Sequence, residues 1–151
     1  MYYDRKCKIT FICNGATIFS EDDRFSDSEA YPPLSDTGID EMEKICGYLK
    51  YRAIKNDKIY TSPATRSIQS AVMISKLFKQ DFEIIEDLHP RKCGSFNNLT
   101  FEQVYETSPE AMETLINSPE TPVPSDAESM TDFINRVGET LNRVIEENIG
   151  N

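Results

Sequence analysis

Short β-rich segments alternate with helical segments along the first part of the chain, and this order limits the folds available to it. The β-rich segments are Lys8 to Cys13, Lys58 to Thr61 and Phe82 to Glu86. Apolar residues at helical spacing lie between them, from Ile39 to Leu49 and from Ala64 to Phe78. Strands separated by helices indicate an α/β domain with a largely parallel sheet.

The first β-rich segment leads into a turn that carries unusual residues. Lys8 to Cys13 is mostly apolar, which predicts a strand covered on both faces, with Cys13 as a small buried residue at its end. Asn14 and Gly15 form the turn, and a polar loop from Ser20 to Glu29 follows. Such a turn often delivers a functional group to a pocket.

The residues after Asn98 have helical character only. Helices are predicted from Thr100 to Thr107, from Pro109 to Asn117 and from Ser129 to about Asn148. The last has a capping-box spacing at its start and the following apolar stripe: Met130, Phe133, Val137, Leu141, Val144 and Ile145. No repeat or second domain is evident, so residues 1–151 are predicted to form a single domain.

Charge and cysteine content narrow the function classes. The net charge is -10, and residues 101–151 hold 11 acidic residues against 2 basic ones. Bulk charge therefore opposes binding to nucleic acid or to an anionic membrane. The sequence has no apolar run of transmembrane length and its start lacks the apolar segment of a secretory signal, so a cytoplasmic protein is expected. The acidic helices are most simply a solvated face, with a basic partner protein as the alternative. Four cysteines without CxxC spacing, and one histidine, predict reduced thiols, no metal site and no cofactor.

Ligands of α/β sheets bind beyond the carboxyl ends of the strands, and the segments there form a recognisable series. In chain order the series is CNGAT at 13–17, RF at 24–25, PLSDTG at 33–38, TSPATR at 61–66, LHPRKCGSFNNLTFE at 88–102 and AES at 127–129. This series resembles the histidine phosphatase superfamily, which includes the cofactor-dependent phosphoglycerate mutases. The resemblance implies a three-layer α/β/α domain with a mostly parallel, phosphoglycerate mutase-like sheet.

The resemblance also implies a C-terminally short domain that lacks the family's last core strand. That strand carries a second catalytic histidine in the family and lies beside the first strand. A sheet without it could be remodelled, or completed by a strand from another copy or from a partner. These alternatives stay open.

The family's catalytic positions carry different residues in this chain. The resemblance places the nucleophilic histidine at Asn14, the preceding arginine at Cys13 and the general acid at Pro90. An amide nitrogen cannot attack phosphorus, because its lone pair is delocalised, and proline has no proton to give. Gly15 and Arg66 match the family's glycine and second arginine. Phosphate contacts are expected from Cys13, Asn14, Gly15, Arg66 and Arg24.

Several residues have competing interpretations. Cys13 as a nucleophile would need an arginine in a Cys-x5-Arg loop, but Phe19 stands at that position. His89 is more simply a solvated side chain than a catalytic one, and Arg66 could instead form a salt bridge. Arg91 and Lys92 beside Pro90 are most simply a solvated loop; an inward-pointing side chain would attract anions.

These observations predict a catalytically inactive, histidine phosphatase-like protein that binds a phosphorylated small molecule or protein. The alternative is an active phosphatase or mutase acting on phosphate monoesters. That alternative requires the chain to be a fragment or to use catalytic groups foreign to the family.

Overall fold

The computed structural model describes residues 6–27, 32–55 and 58–149. It has the predicted α/β architecture, with a small parallel sheet. The elements in chain order are α1 (Ile18–Glu21), α2 (Asp36–Tyr51), β1 (Tyr60–Thr61), α3 (Thr65–Phe78), β2 (Glu83–Ile84), α4 (Phe101–Thr107), α5 (Pro109–Asn117) and α6 (Met130–Asn148). Single 3-10 turns occupy Glu86–Leu88 and Gly94–Phe96.

The sheet consists of β1 and β2, which are parallel and joined through α3. Tyr60 pairs with Glu83 and Thr61 with Ile84. The Glu83 N–H donates to the Ile59 carbonyl at 2.9 Å, which continues the pairing beyond the strand end. Both predicted strands are therefore confirmed in place and direction, although each is only two residues long.

The prediction of a buried strand from Lys8 to Cys13 is wrong. All six residues are exposed and none belongs to a strand. The exposed fraction of Phe11 is 74%. A β-rich sequence favours extended backbone, but a strand also requires a neighbour for its peptide groups, and the described residues supply none here. Cys13 is accordingly exposed rather than buried.

Five helices form close to where the sequence predicts them, whereas α1 is not predicted. Side chains cap the starts of α2, α4 and α6. α2 begins before the predicted Ile39, because the Ser35 side chain accepts the Gly38 N–H at 3.1 Å and caps the helix. α6 begins after Ser129, whose hydroxyl accepts the Asp132 N–H at 3.0 Å. α5 spans the predicted residues. No helix in the described ranges has the length and apolar character needed to cross a membrane.

The main core lies between α2 and α3. Met42 of α2 is fully buried and packs with Leu34 and with Ile74 of α3. The partly buried residues around them are Ile45, Cys46, Ile59, Met73 and Phe78. This packing holds the middle of α2 against the C-terminal half of α3.

A second, aromatic cluster joins two distant loops. The Phe25 ring lies 4.6 Å from the Phe101 ring and 5.8 Å from the Phe96 ring, measured between centroids. The Phe25 N–H also donates to the Leu99 carbonyl at 2.9 Å. These contacts hold residues 24–27 against residues 96–101.

Candidate functional site

The turn after the extended N-terminal segment, residues 13–17, is called the glycine turn below. Its backbone touches the first turn of α2. A Cβ atom on Gly15 would overlap the Gly38 carbonyl oxygen and lie 2.7 Å from its carbonyl carbon. A Cβ on Gly38 would lie 2.8 Å from the Ala16 nitrogen. Only glycine fits at either position, because both neighbours are backbone atoms.

Hydrogen bonds fix the glycine turn to α2 as well. The Ala16 N–H donates to the Glu41 carboxylate at 2.8 Å, and the Ala16 carbonyl accepts the Ser35 N–H at 3.0 Å. Thr17 forms an isolated antiparallel bridge with Leu34. The side chains of residues 13 and 14 take no part in these bonds, so the shape of the turn does not depend on them.

Asn14 occupies the position that the resemblance assigns to the nucleophile. Its side-chain nitrogen donates a hydrogen bond to the Gly15 carbonyl at 2.8 Å. Cys13, at the clamp position, is exposed. The turn therefore has a hydrogen-bonded side-chain amide at position 14, where the family has an imidazole. It has an exposed thiol at position 13, where the family has a guanidinium.

Arg24 holds two loop segments together. Its Nε donates to the Asp22 carboxylate at 2.6 Å, and its Nη1 donates to the Asn98 carbonyl at 3.0 Å. The side chain is 30% exposed. These bonds place the Arg24 guanidinium between the loop after α1 and the loop before α4.

Arg66 lies in the first turn of α3 and contacts a cluster around Cys93. This Cys93 cluster consists of Ser26, Asp27, Arg66, Arg91 and Cys93. The Arg66 Nη1 lies 3.3 Å from the Ser26 hydroxyl oxygen. Asp27 is 2% exposed, and its carboxylate accepts the Cys93 N–H at 2.9 Å. The cluster thus brings two arginines and a buried acid around one thiol.

The Cys93 thiol is protonated at neutral pH. Burial raises its pKa to about 11, and the Asp27 carboxylate adds to this increase, while the positive charges of Arg91 and Arg66 oppose it. A neutral thiol is a poor nucleophile. All four cysteines are free, as predicted.

Arg91 points inward, which contradicts the simpler prediction of a solvated loop. Its Nε donates to the Glu128 carbonyl at 2.8 Å, and its Nη2 is shielded from solvent without a hydrogen-bond partner. It lines a cavity of about 80 Å³ together with Phe25 and Cys93. Lys92, by contrast, is exposed as predicted. An unpaired buried donor is costly, and an anion or water bound there would remove that cost.

An ion pair that the sequence reasoning missed organises the loop around Pro90. Arg136 of α6 donates to both Glu128 carboxylate oxygens, at 2.9 and 2.8 Å. It also donates to the Asp87 carbonyl at 2.6 Å and the His89 carbonyl at 3.1 Å. Burial tends to raise the pKa of Glu128, but the hydrogen bond and charge of Arg136 outweigh it, so the pKa lies below its ordinary value.

Pro90 lies within this loop beside the only histidine. The His89 Nδ1 is 2.8 Å from the Pro90 carbonyl oxygen, so the Nδ1–H tautomer donates to it. His89 is half-buried, which corrects the expectation of a solvated side chain. No proton donor comes from Pro90 itself.

The predicted site residues thus fall into separate local arrangements. Asn14 and Gly15 lie against α2, Arg66 lies in the Cys93 cluster, and Arg24 bonds to Asp22 and Asn98. Sequence reasoning missed Asp27, Cys93, Glu128 and Arg136. The AES match at 127–129 offered a signal for Glu128, and an arginine two helical turns further on was a fitting partner. Within the described ranges, no three His, Cys, Asp or Glu side chains are grouped as a metal site requires.

Comparison with known proteins places this arrangement in a family. Residues 9–151 match the sequence model of the histidine phosphatase superfamily (branch 1). The bifunctional protein Rv2228c of Mycobacterium tuberculosis is 26% identical over 138 residues, which are 91% of this chain and 37% of the relative. An uncharacterized protein of Mycobacterium bovis, Mb2253c, matches over the same shares. The chain therefore spans little more than a third of these curated relatives.

Solved structures share the fold. Bacillus stearothermophilus YhfR superposes with a TM-score of 0.83 at 20% identity, covering 91% of this chain and 66% of that one. A mycobacterial glucosyl-3-phosphoglycerate phosphatase in complex with VO3 has a TM-score of 0.79 at 20% identity, covering 88% and 64%. A putative alpha-ribazole-5'-P phosphatase of Escherichia coli has a TM-score of 0.76 at 20% identity, with the same coverage. With the family match over residues 9–151, the chain belongs to the histidine phosphatase superfamily.

Proposed function

We propose that this chain binds a phosphorylated small molecule or protein and does not hydrolyse it. The observation that carries the proposal is Asn14, which stands at the family's nucleophile position and uses its side-chain nitrogen to donate to the Gly15 carbonyl at 2.8 Å. That nitrogen has no lone pair free to attack phosphorus. Loss of a nucleophile typically lowers a rate by several orders of magnitude.

The general-acid position supports the same proposal. Pro90 has no ionisable group, so it cannot protonate a leaving oxygen. The neighbouring His89 has its Nδ1 committed to the Pro90 carbonyl. Its backbone is held by Arg136 of α6. The residues that remain here serve to hold the loop.

The Cys93 cluster has features that attract anions. Arg66 lies in the first turn of α3, so the positive end of the helix dipole accompanies its guanidinium. Arg91 keeps a buried donor without a partner. Both arginines act on the same Cys93 thiol. Two guanidinium groups at one location favour an oxyanion ligand.

The names of the solved neighbours agree with a phosphate-bearing ligand. The mycobacterial phosphatase forms a complex with VO3, and the Escherichia coli protein is described as a phosphatase of alpha-ribazole-5'-P. For this chain, these names support the class of ligand and not its identity.

Calorimetric titration of the full chain with inorganic phosphate and with phenyl phosphate tests the proposal. Arg66→Ala should weaken binding about tenfold or more, because a hydrogen bond to a charged group contributes about 1.5–3 kcal/mol. Arg52→Ala is the matched control, since Arg52 stacks on the Tyr48 ring at the opposite end of α2 from Gly38. It should leave binding unchanged.

Hydrolysis of p-nitrophenyl phosphate by the same three proteins separates the proposal from its alternative. We expect background rates in all of them. Hydrolysis that disappears in Arg66→Ala would establish an active phosphatase or mutase instead. Absence of phosphate binding by the unmodified chain would refute the binding role.

A further inference from the structure

A cavity of about 80 Å³ lies beside the Cys93 cluster, and Arg91 is part of its wall. It is called the Arg91 cavity below. Five of its eight lining residues are apolar: Phe25, Phe96, Leu115, Val123 and Ala127. Liquid water occupies about 30 Å³ per molecule, so the cavity has room for a group of about three or four bonded non-hydrogen atoms.

The Arg91 guanidinium has a buried donor that no protein atom satisfies. Its Nε donates to the Glu128 carbonyl at 2.8 Å, whereas its Nη2 is shielded from solvent and has no hydrogen-bond partner. Among the residues that the structure describes, none forms an ion pair with Arg91, and the Glu128 carboxylate is paired with Arg136. A buried donor is costly unless a ligand supplies an acceptor. An anion is the strongest acceptor for a guanidinium.

We propose that the Arg91 cavity binds a small carboxylate, such as formate or acetate, with its oxygens at the Arg91 guanidinium. A small carboxylate carries its charge at one end and hydrogen or a methyl group at the other. The oxygens face Arg91, and the opposite end faces the apolar residues of the wall. Burial of that end in an apolar wall adds to the attraction between the charges.

Inorganic phosphate suits this wall less well than a carboxylate does. Its oxygens point in all directions, so several of them would lie against apolar residues that offer no donor. Arg66, the residue proposed to contact phosphate, is not among the residues that line the cavity in the described part of the chain. The carboxylate site therefore neighbours the proposed phosphate contact at Arg66 and does not depend on it.

Cys93 also lines the cavity, and its thiol reports on binding. A carboxylate in the cavity shields the thiol from reagents in the solvent. It also offsets the positive charge of Arg91, which otherwise opposes the increase in the Cys93 pKa, so the thiolate becomes rarer. Both effects slow alkylation of Cys93. Cys13 is exposed and is not a lining residue, so it serves as an internal control.

Labelling of the full chain with iodoacetamide, followed by mass spectrometry of its peptides, tests the proposal. Sodium acetate is compared with sodium gluconate at equal ionic strength, because the gluconate anion is too large for the cavity. At an acetate concentration about ten times the Kd measured by calorimetry, labelling of Cys93 should slow about tenfold. Labelling of Cys13 should not change.

Two variants locate the bound carboxylate. Arg91→Met keeps a long side chain but removes the guanidinium, so acetate should no longer slow labelling of Cys93. Arg143→Met is the matched control, because it removes the same charge from an exposed side chain on α6. It should respond to acetate as the unmodified chain does. Far-UV circular dichroism checks that both variants remain folded.

Equal protection of Cys93 by acetate and gluconate would overturn the proposal, as would protection that persists in Arg91→Met. The unmodified chain alone gives a further test, since labelling that acetate leaves unchanged would also refute the site. Inorganic phosphate that protects Cys93 as well as acetate does would contradict the assignment to a carboxylate. Arg66→Ala separates this site from the proposed function, because it should weaken phosphate binding and leave the protection by acetate intact.

Discussion

Two loops of the candidate site are held in place by different means. The glycine turn is fixed by backbone atoms, through the contact of Gly15 with Gly38. The Pro90 loop, residues 87–93, is fixed by a side chain, because Arg136 of α6 donates to the carbonyls of Asp87 and His89. The first arrangement depends on the absence of side chains and the second on the presence of one.

This difference explains how the fold tolerates the residues that it carries. At the glycine turn, Cys13 and Asn14 are free to vary, since neither side chain bonds to α2. At the Pro90 loop, Arg136 bonds to backbone carbonyls, which any residue supplies, so proline at position 90 leaves the loop intact. In both places the scaffold is maintained by atoms other than those that perform catalysis in the family.

Removal of Arg136 should produce the largest loss of stability. Arg136→Ala would leave the Glu128 carboxylate, only 12% exposed, without its partner. Breaking a largely buried ion pair costs about 3 kcal/mol or more. Urea unfolding monitored by circular dichroism measures the change.

Arg143 on the same helix provides the control for this substitution. Its pair with Asp87 is 3.6 Å long and both side chains are more than half exposed. Arg143→Ala should change stability by no more than about 0.5 kcal/mol. Equal effects of the two substitutions would show that Arg136 does not organise the Pro90 loop.

A single methyl group on α2 that points at the glycine turn should have a smaller but clear effect. Gly38→Ala forces a Cβ against the backbone of Ala16, and overpacking of this kind costs about 2 kcal/mol. Gly47→Ala, in the same helix, has nothing within 4 Å of the new Cβ. It should stabilise the protein by about 0.5–1 kcal/mol, because alanine favours helix. Unfolding curves in which both variants shift the same way would contradict the close contact.

The pH dependence of Glu128→Gln should show the smallest effect. The pKa of Glu128 in the folded protein lies below its ordinary value of 4.5, so its ionised form stabilises the fold above that pH. This contribution is lost as the pH falls through the lowered pKa. The difference in unfolding free energy between the unmodified chain and Glu128→Gln should therefore narrow from pH 7 towards pH 3. A difference that widens on acidification would rule out the proposed role of the Arg136 pair.

The site was predictable only where a residue could be matched by position. Asn14, Gly15 and Pro90 follow from the order of short segments along the chain. The inward direction of Arg91 and the environment of Cys93 do not, because they depend on Asp27 and Glu128, which lie far away in sequence. Whether an arginine in a polar loop is solvated or buried is decided by the segments that pack over it.

The sequence by itself determined the positions of the five longer helices and the order of the α/β fold. Ser35, Thr100 and Ser129 each accept the N–H three residues ahead, so helix starts are set by neighbours in the chain. Only the tertiary structure decided which β-rich segments became strands. Residues 60–61 and 83–84 find each other through α3, whereas Lys8–Cys13 stays extended, because a strand exists only where a second segment supplies its hydrogen-bond partners.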